Sequence, residues 1–152
     1  MSGRLPLAVM MLAAAVPAAA AERTFTITGF DRIRVEGPYR VRLKAGVAPF
    51  AKASGSSQAI DGVSVGVQGR TLIVRPSASS WGGYPGKPTG PVEVSVGTHD
   101  LLAAWLNGAG TLEISAIKGL SFDLNLQGTG SIAVAKAMVD QLKVGLSGSG
   151  AA

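Results

Sequence analysis

Side chains able to do acid–base or metal chemistry are few in this sequence. His99 is the single histidine, and Asp100 beside it is an acid that could act on its imidazole. An imidazole serves as a metal ligand or a catalytic base when further groups converge on it, and no motif supplies them. We therefore expect His99 to lie in a turn or on the surface.

The acidic residues form no motif either. Asp31, Asp61, Asp123 and Asp140 are scattered, without the closely spaced acids of a calcium site. Cysteine is absent, which excludes a thiol nucleophile, a zinc–thiolate site and disulfide bonds. The sequence thus predicts no catalytic, metal-binding or cofactor-binding residue. The alternative is a carbohydrate-active enzyme on a β-helix scaffold, which requires acids such as Asp123 and Asp140 to converge in one groove.

Two aromatic residues could contact a ligand. Trp81 and Tyr84 stand among glycine, proline and serine in the segment 77–91, a composition typical of a loop. Aromatic rings held on loops are frequent contacts for sugars and peptides. Packing of Trp81 over an open sheet edge is the other interpretation.

Basic side chains recur on alternate positions between residues 32 and 44. In a strand they would share one face, opposite a set of apolar residues. The basic residues are Arg32, Arg34, Arg40, Arg42 and Lys44, and the apolar ones are Ile33, Val35, Val41 and Leu43. One interpretation is a solvated face that discourages edge pairing. The sharper one is weak, salt-sensitive binding of anionic glycans or other acidic envelope polymers.

The first residues read as a secretion signal. Arg4 is the only charge before the apolar run 5–16, and Ala19 and Ala21 satisfy a small-residue cleavage preference. The run is shorter than the roughly 20 apolar residues that span a bilayer, which disfavours a retained anchor. We predict a cleaved signal peptide over residues 1–21.

Export limits the range of partners. The predicted mature domain covers residues 22–152, with Glu22 as its first residue and Ala21 as an alternative start. Loss of Arg4 reduces the net charge from +5 to +4, from 13 basic and 9 acidic residues. We expect a periplasmic, cell-envelope or extracellular location, no transmembrane segment in the mature chain and no nucleic-acid partner.

A motif of leucine, glycine and small residues returns three times. Its copies are residues 106–110, 126–130 and 146–150, each 20 residues after the last. Apolar residues alternate before each copy, as in a strand with one buried face. Glycine permits the backbone angles of a corner, so we predict structural corners at Gly108, Gly110, Gly128, Gly130, Gly148 and Gly150.

The constant spacing favours one architecture over another. A meander of hairpins and the coils of a β-solenoid could both turn once every 20 residues. Stacked coils bring equivalent residues about 4.8 Å apart and so hold the spacing fixed, whereas hairpins tolerate variation. We predict an all-β fold, a single-stranded β-helix or β-solenoid with rungs of about 20 residues.

A weaker copy of the repeat lies in the N-terminal half. Four of its residues precede their counterparts by 71 positions: Val35, Gly37, Val41 and Leu43 correspond to Leu106, Gly108, Leu112 and Ile114. Three rungs of 20 leave 11 residues over, and the segment 77–91 could hold them as an insertion.

Three stretches together resemble the family of putative auto-transporter adhesins with a head GIN domain. They are the opening at 30–41, the middle at 69–74 and the glycine repeats that end at 146–150. The resemblance implies a β-helix-like domain in the periplasm or at the cell envelope, with no catalytic residue assigned. A further strand is expected after Ala151 and Ala152, so we expect a C-terminally truncated domain whose last rung lacks its cap.

These observations favour a binding protein over an enzyme. We predict a non-catalytic adhesion or scaffolding module of the cell envelope that presents a stacked β surface to glycans or envelope partners. Besides the enzyme, a self-associating structural protein is an alternative, because an uncapped end near residues 145–150 would expose strand edges and apolar side chains.

Overall fold

The computed structural model describes Gly3, residues 21–77 and residues 92–152. Most of the predicted signal peptide therefore lies outside the described residues, as do the predicted contact residues Trp81 and Tyr84. Within the described ranges, no helix is long and apolar enough to cross a membrane.

The regular secondary structure of the described residues is almost entirely β-strand. One short helix, α1 (Ser57–Asp61), begins after Ser56, whose hydroxyl accepts a hydrogen bond from the Ala59 N–H. The strands are β1 (Ala21–Phe25), β2 (Arg32–Glu36), β3 (Arg40–Ala45), β4 (Phe50–Gly55), β5 (Val63–Gln68), β6 (Thr71–Pro76), β7 (Glu93–Thr98), β8 (Ala103–Asn107), β9 (Thr111–Ile114), β10 (Ile117–Gln127), β11 (Ser131–Val134) and β12 (Ala137–Ser147).

The strands form two sheets that share one core. Sheet A has six strands in the order β1-β4-β7-β3-β9-β11, and sheet B has six in the order β12-β10-β8-β2-β6-β5. Buried side chains from both sheets belong to a single hydrophobic cluster. The sheets therefore pack face to face in a β-sandwich-like fold.

The prediction of a single-stranded β-helix is wrong. A β-helix needs each strand to pair in parallel with the strand one coil away. Here β1 with β4, β4 with β7 and β5 with β6 are antiparallel, and both six-stranded sheets are open, with strands at their edges. Alternating apolar residues identify a strand with one covered face, but they do not identify its neighbours, so the repeat could not reveal the mixed sheets.

The repeat spacing reappears as the register of the parallel pairs. Leu126 lies between Leu106 and Leu146 in sheet B, and Ile132 lies opposite Leu112 in sheet A, each pair 20 positions apart. The offset of 71 positions joins β2 to β8 and β3 to β9. In the C-terminal half, residues one repeat apart therefore lie opposite each other on neighbouring parallel strands.

The core is filled by the inward-facing half of each strand. Ile33, Val35, Leu72, Leu106 and Leu112 are fully buried. Burying an aliphatic side chain of this size contributes roughly 1.5–3 kcal/mol. This burial fixes which side of each strand faces the core and which faces outward.

The repeat glycines lie where the strands of sheet B turn into sheet A. Gly108, Gly128 and Gly148 have φ angles of 111°, 104° and 102°, a region that side chains rarely adopt. A Cβ on Gly130 would lie 2.3 Å from the carbonyl oxygen of Gly110. Successive turns therefore stack in backbone contact, with no room between them for a side chain.

Candidate ligand-binding face

The outer surface of sheet B combines a tryptophan with amides, hydroxyls and charges. We call this surface the Trp105 face. It is formed by outward residues of β6, β2, β8 and β10: Thr71, Ile73, Arg32, Arg34, Ala103, Trp105, Asn107, Ser121, Asp123, Asn125 and Gln127. These residues alternate with core residues, so the packing of the core determines that they face outward.

One row of the Trp105 face crosses five strands. The pairing places Ile73, Arg34, Trp105, Asn125 and Gly145 side by side. Neighbours in such a row are separated by about 4.8 Å. A Cβ on Gly145 would lie 2.6 Å from Asn125 Oδ1, so the Asn125 amide occupies space that the glycine leaves free.

Trp105 is shared by two shallow grooves. The first has a volume of about 390 Å³ and is lined by Arg34, Thr71, Trp105, Asn107 and Gln127. The second has a volume of about 330 Å³ and is lined by Arg32, Leu102, Ala103, Trp105, Ser121 and Asp123. The tryptophan is partly buried, so neighbouring side chains hold its ring while part of the indole is accessible from both grooves.

The side chains of this face are complementary to a ligand that has both apolar surfaces and hydrogen-bonding groups, as a saccharide has. An indole ring offers an apolar surface for stacking and an N–H donor at its edge. The amides of Asn107, Asn125 and Gln127 can each donate and accept hydrogen bonds. A sugar ring presents C–H groups on its faces and hydroxyl groups around its rim, so it could stack on the indole and hydrogen-bond to the amides.

The cations of the Trp105 face have acidic neighbours. Arg34 Nε lies 2.9 Å from Glu36 Oε1. Arg32 Nε lies 4.0 Å from Asp31 Oδ1, and the other oxygen of that carboxylate lies 2.8 Å from Arg70 Nε. The face therefore has mixed charge and is not a simple polyanion site.

The predicted basic stripe is divided between two surfaces. Arg32 and Arg34 lie on β2 in sheet B, whereas Arg40, Arg42 and Lys44 lie on β3 in sheet A. Because both strands turn their apolar residues into the same core, the two groups point away from opposite sides of the sandwich. The five basic residues do not form one binding surface.

Arg42 is also held by acids on its neighbouring strands. Its Nε lies 3.0 Å from Glu93 Oε1 and 3.4 Å from Glu113 Oε2. These two carboxylates offset the positive charge of Arg42, which the sequence analysis had assigned to an anion-binding stripe.

Sheet A carries an apolar groove of about 530 Å³. Its lining includes the apolar residues Phe50, Ala133 and Val134 and the charged residues Arg42, Lys44 and Glu113. Phe50 is 38% exposed, and its ring packs against Gly97, where a Cβ would lie 2.3 Å from the ring. The groove offers an apolar surface with charged side chains of both signs beside it.

The remaining candidates for chemistry stay apart in the structure. His99 and Asp100 are exposed after β7. Asp123 lies opposite Lys143 in the pairing of β10 with β12, and Asp140 is exposed on β12. Across residues 21–77 and 92–152, no three His, Cys, Asp or Glu side chains are grouped so as to hold a metal ion. Nothing in this arrangement favours the enzyme alternative.

Trp105 was missed by the sequence prediction, although a signal for it was present. Ala104 and Leu106 follow the alternation of core-facing residues that leads into the glycine turn at Gly108, so the residue between them should point outward. An outward tryptophan in the middle of a strand is unusual, because large aromatic side chains are normally mostly buried. The aromatic residues that the sequence analysis singled out were Trp81 and Tyr84, which lie outside the described residues.

Two mixed β-sheets, one of which presents Trp105 and polar side chains on its outer surface, define an all-β domain. The chain belongs to the family described as "Putative auto-transporter adhesin, head GIN domain", whose profile matches residues 29–152. The resemblance noted in the sequence is thus confirmed. The family name indicates an exported or cell-surface protein.

Solved structures of low sequence identity share the fold. A putative lipid binding protein from Parabacteroides distasonis is 18% identical with a TM-score of 0.62, over 86% of this chain and 63% of that chain. A putative adhesin from the same species is 13% identical with a TM-score of 0.60, over 87% and 64%. A putative adhesin from Parabacteroides merdae is 15% identical with a TM-score of 0.57, over 83% and 60%.

The matched part is shorter than these proteins. The chain spans slightly under two thirds of the length of each of them. The curated proteins include no match to this sequence. The family and these neighbours are described as adhesins or binding proteins and not as enzymes.

Proposed function

We propose that this chain is a non-catalytic binding module of the cell envelope whose Trp105 face binds glycans. The observation that carries the proposal is the row formed by Arg34, Trp105 and Asn125, with a groove on either side of the indole. The adhesin name of the family supports a binding role. A periplasmic, envelope or extracellular location agrees with this role.

The type of glycan follows from the charge of the face. Glu36 accompanies Arg34, and Asp123 lies beside Lys143 in the row that contains Arg32. A strongly anionic polymer would meet both carboxylates, so its attraction to the arginines would be offset. A neutral or weakly charged saccharide chain would use stacking and hydrogen bonds and is the better ligand for this surface.

A screen against immobilised glycans and envelope polymers tests this function. The wild-type protein should be retained by a subset of neutral glycans, and Trp105→Ala should lose that retention. Trp81→Ala is the matched control, because it removes the other tryptophan of the chain. Equal retention of the wild type and Trp105→Ala would contradict the proposal.

The groove on sheet A supports a second candidate, the binding of an amphiphile. Its apolar lining could hold an acyl chain, and Lys44 could contact an acidic headgroup. One structural neighbour is described as a putative lipid binding protein. This candidate does not use the Trp105 face, so the two functions can be tested separately.

Filling the groove tests the amphiphile candidate. Ala133 is exposed and lines the groove, so Ala133→Phe should obstruct it with little effect on the core. The variant should lose binding of a fluorescent fatty acid if the groove is the site. Binding that persists in Ala133→Phe would exclude the groove, and absence of binding by the wild type would exclude the candidate.

A further inference from the structure

The two grooves beside Trp105 differ in the side chains that line them. Apart from the indole, the larger groove is lined only by amide, hydroxyl and guanidinium groups. The smaller groove, which we call the Leu102 groove, also has apolar residues; its lining is Arg32, Leu102, Ala103, Trp105, Ser121 and Asp123. A ligand that crosses the indole therefore meets a polar groove on one side and a mixed apolar and polar groove on the other.

Leu102 presents its side chain to solvent from a fixed backbone. The residue is 44% exposed, whereas Leu101 before it is buried. The Leu102 N–H donates a hydrogen bond to the Asp31 carbonyl oxygen at 2.6 Å, and the Leu102 carbonyl oxygen accepts one from the Asp123 N–H at 3.1 Å. Because the backbone is tied to a neighbouring segment on each side, the apolar side chain stands at a defined place beside the groove.

Ala103 forms the floor of the Leu102 groove. It points outward and lies between Arg32 and Asp123 in the pairing of the strands. Only 4% of Ala103 is exposed, because the longer side chains around it rise above its methyl group. This place is therefore a depression in the outer surface, deep enough to receive a small substituent of a ligand.

Polar groups around the depression are available to a ligand. In the part of the chain that the structure describes, the side chains of Ser121 and Asp123 have no hydrogen-bond or ion-pair partner. Asp123 lies opposite Lys143 in the register, but the two side chains form no ion pair. Arg32 Nε lies 4.0 Å from Asp31 Oδ1, which is too far for a hydrogen bond, so the guanidinium donors are also available.

We propose that the Leu102 groove binds the acetamido group of an N-acetylated sugar whose ring stacks on Trp105. The carboxylate of Asp123, which only accepts hydrogen bonds when ionised, accepts one from the amide N–H. The Arg32 guanidinium donates to the amide carbonyl oxygen. The methyl group lies against Leu102 and above Ala103. The inference rests on the glycan function proposed above and names the class of glycan.

The three contacts together select an acetamido group over other substituents. A hydroxyl group could hydrogen-bond to Asp123, but it would leave the apolar surface of Leu102 in water. A protonated amine would be attracted by Asp123 and repelled by Arg32, and it has neither a carbonyl nor a methyl group to offer. A carboxylate would be repelled by Asp123. The groove therefore suits a neutral substituent with a donor, an acceptor and a methyl group.

Oligosaccharides that differ only in this group test the inference. Fully N-acetylated chitotriose and cellotriose are the same β-linked chain, with an acetamido group in the first where the second has a hydroxyl group on each ring. In calorimetric titration the wild type should bind the N-acetylated chain at least about fivefold more tightly, as expected for one buried methyl group and one added hydrogen bond. It should also prefer this chain to its deacetylated form.

A second pair of probes extends the comparison to another ring configuration. Methyl glycosides of N-acetylgalactosamine and galactose differ in the same way, and the acetylated member should again bind more tightly. If no acetylated probe is preferred in either pair, or if the deacetylated chain binds best, the inference is overturned.

Leu102→Asn assigns the preference to the groove, because it removes the apolar contact at a similar size. The ratio of the two affinities should fall below about twofold, while the affinity for the hydroxyl chain changes less than about twofold. Leu120→Asn makes the same change at a residue that is 78% exposed and does not line the groove, so it should keep the wild-type ratio. An unchanged ratio in Leu102→Asn would overturn the inference.

Failure of the inference and failure of the proposed function give different results. If glycans are retained and Trp105→Ala loses them, but N-acetylation has no effect, the Trp105 face binds glycans without a role for the Leu102 groove. If the wild type retains no glycan at all, the proposed function fails and the inference fails with it.

Discussion

Arg34 lies directly opposite Trp105 in the parallel pairing of β2 with β8. The arginine is held 2.9 Å from Glu36, so its charge is partly balanced beside the indole. A surface ion pair of this kind contributes little to stability. The pair instead affects ligand choice, because it places charges of both signs and hydrogen-bonding groups beside the tryptophan.

The mixed charge predicts a binding reaction that is nearly insensitive to salt. Between about 0.05 M and about 0.5 M NaCl, we expect the glycan affinity to change less than about twofold, since screening acts mainly on uncompensated charges. Affinity chromatography at the two salt concentrations measures this. A steep loss of affinity in high salt would instead indicate an ionic site and would contradict this prediction.

The stacked corners predict a position that admits no side chain. Gly130→Ala places a Cβ 2.3 Å from the Gly110 carbonyl oxygen, and the backbone cannot move aside without disturbing the turn. We expect a loss of about 1–3 kcal/mol in the free energy of unfolding, measured by urea denaturation. Gly66→Ala is the control, because a Cβ there meets nothing within 4 Å. Equal stabilities of the two variants would argue against the stacking.

Tyr39 predicts a loss of stability in alkali. The residue is buried, its hydroxyl donates a hydrogen bond to the Gly62 carbonyl, and burial raises the pKa of its phenol. In the unfolded chain tyrosine ionises near pH 10. The protonated Tyr39 therefore contributes its full stabilisation of the folded state below about pH 10. This stabilisation is lost as the pH rises through the higher pKa of the folded state.

Tyr39→Phe isolates this effect. The variant should show a shallower decline in the free energy of unfolding between about pH 9 and about pH 11, because phenylalanine has no ionising group. Urea unfolding at a series of pH values measures the slope. Identical slopes for the wild type and Tyr39→Phe would show that Tyr39 does not ionise on unfolding in this range.

Removing the Thr98 hydroxyl should destabilise the fold, because it leaves a carbonyl group without its hydrogen-bond donor. Its buried hydroxyl donates a hydrogen bond to the Phe30 carbonyl oxygen. Thr98→Val keeps the shape and removes the donor, so we expect a loss of about 1–3 kcal/mol in the free energy of unfolding. Thr24→Val, on the exposed side of β1, should change it by less than about 0.5 kcal/mol. Thermal or urea unfolding of both variants separates the two cases.

Much of the strand content could be predicted from the alternation of apolar residues, but the arrangement of the sheets could not. Val35 and Leu106, 71 residues apart in sequence, lie opposite each other on neighbouring strands, whereas the prediction of stacked rungs placed three 20-residue rungs and an 11-residue insertion between them. The antiparallel pairing of β4 with β7 carries no comparable signal, because side-chain alternation is the same in parallel and antiparallel sheets. A constant period in one half of the chain was therefore extended wrongly to the whole.

The candidate site was more predictable than the architecture. Arg34 and Trp105 are 71 positions apart, and Trp105 and Asn125 are 20 positions apart. The two repeat spacings in the sequence therefore identify the three residues that lie side by side in this row. The separation of Arg34 from Arg42 was not accessible, because it depends on β2 and β3 entering different sheets. Local spacing determines neighbours within a sheet, whereas the turn at Gly37 determines which sheet a strand joins.

Calorimetric titration with the best-retained glycan is the most direct test of the central claim that the Trp105 face is the binding site. We compare the wild type, Trp105→Ala and Trp81→Ala, with circular dichroism to verify that each variant is folded. Trp105→Ala should weaken binding at least about tenfold, or ~1.4 kcal/mol, while Trp81→Ala keeps the wild-type affinity. Unchanged affinity in Trp105→Ala, or loss of binding in Trp81→Ala alone, would contradict the account.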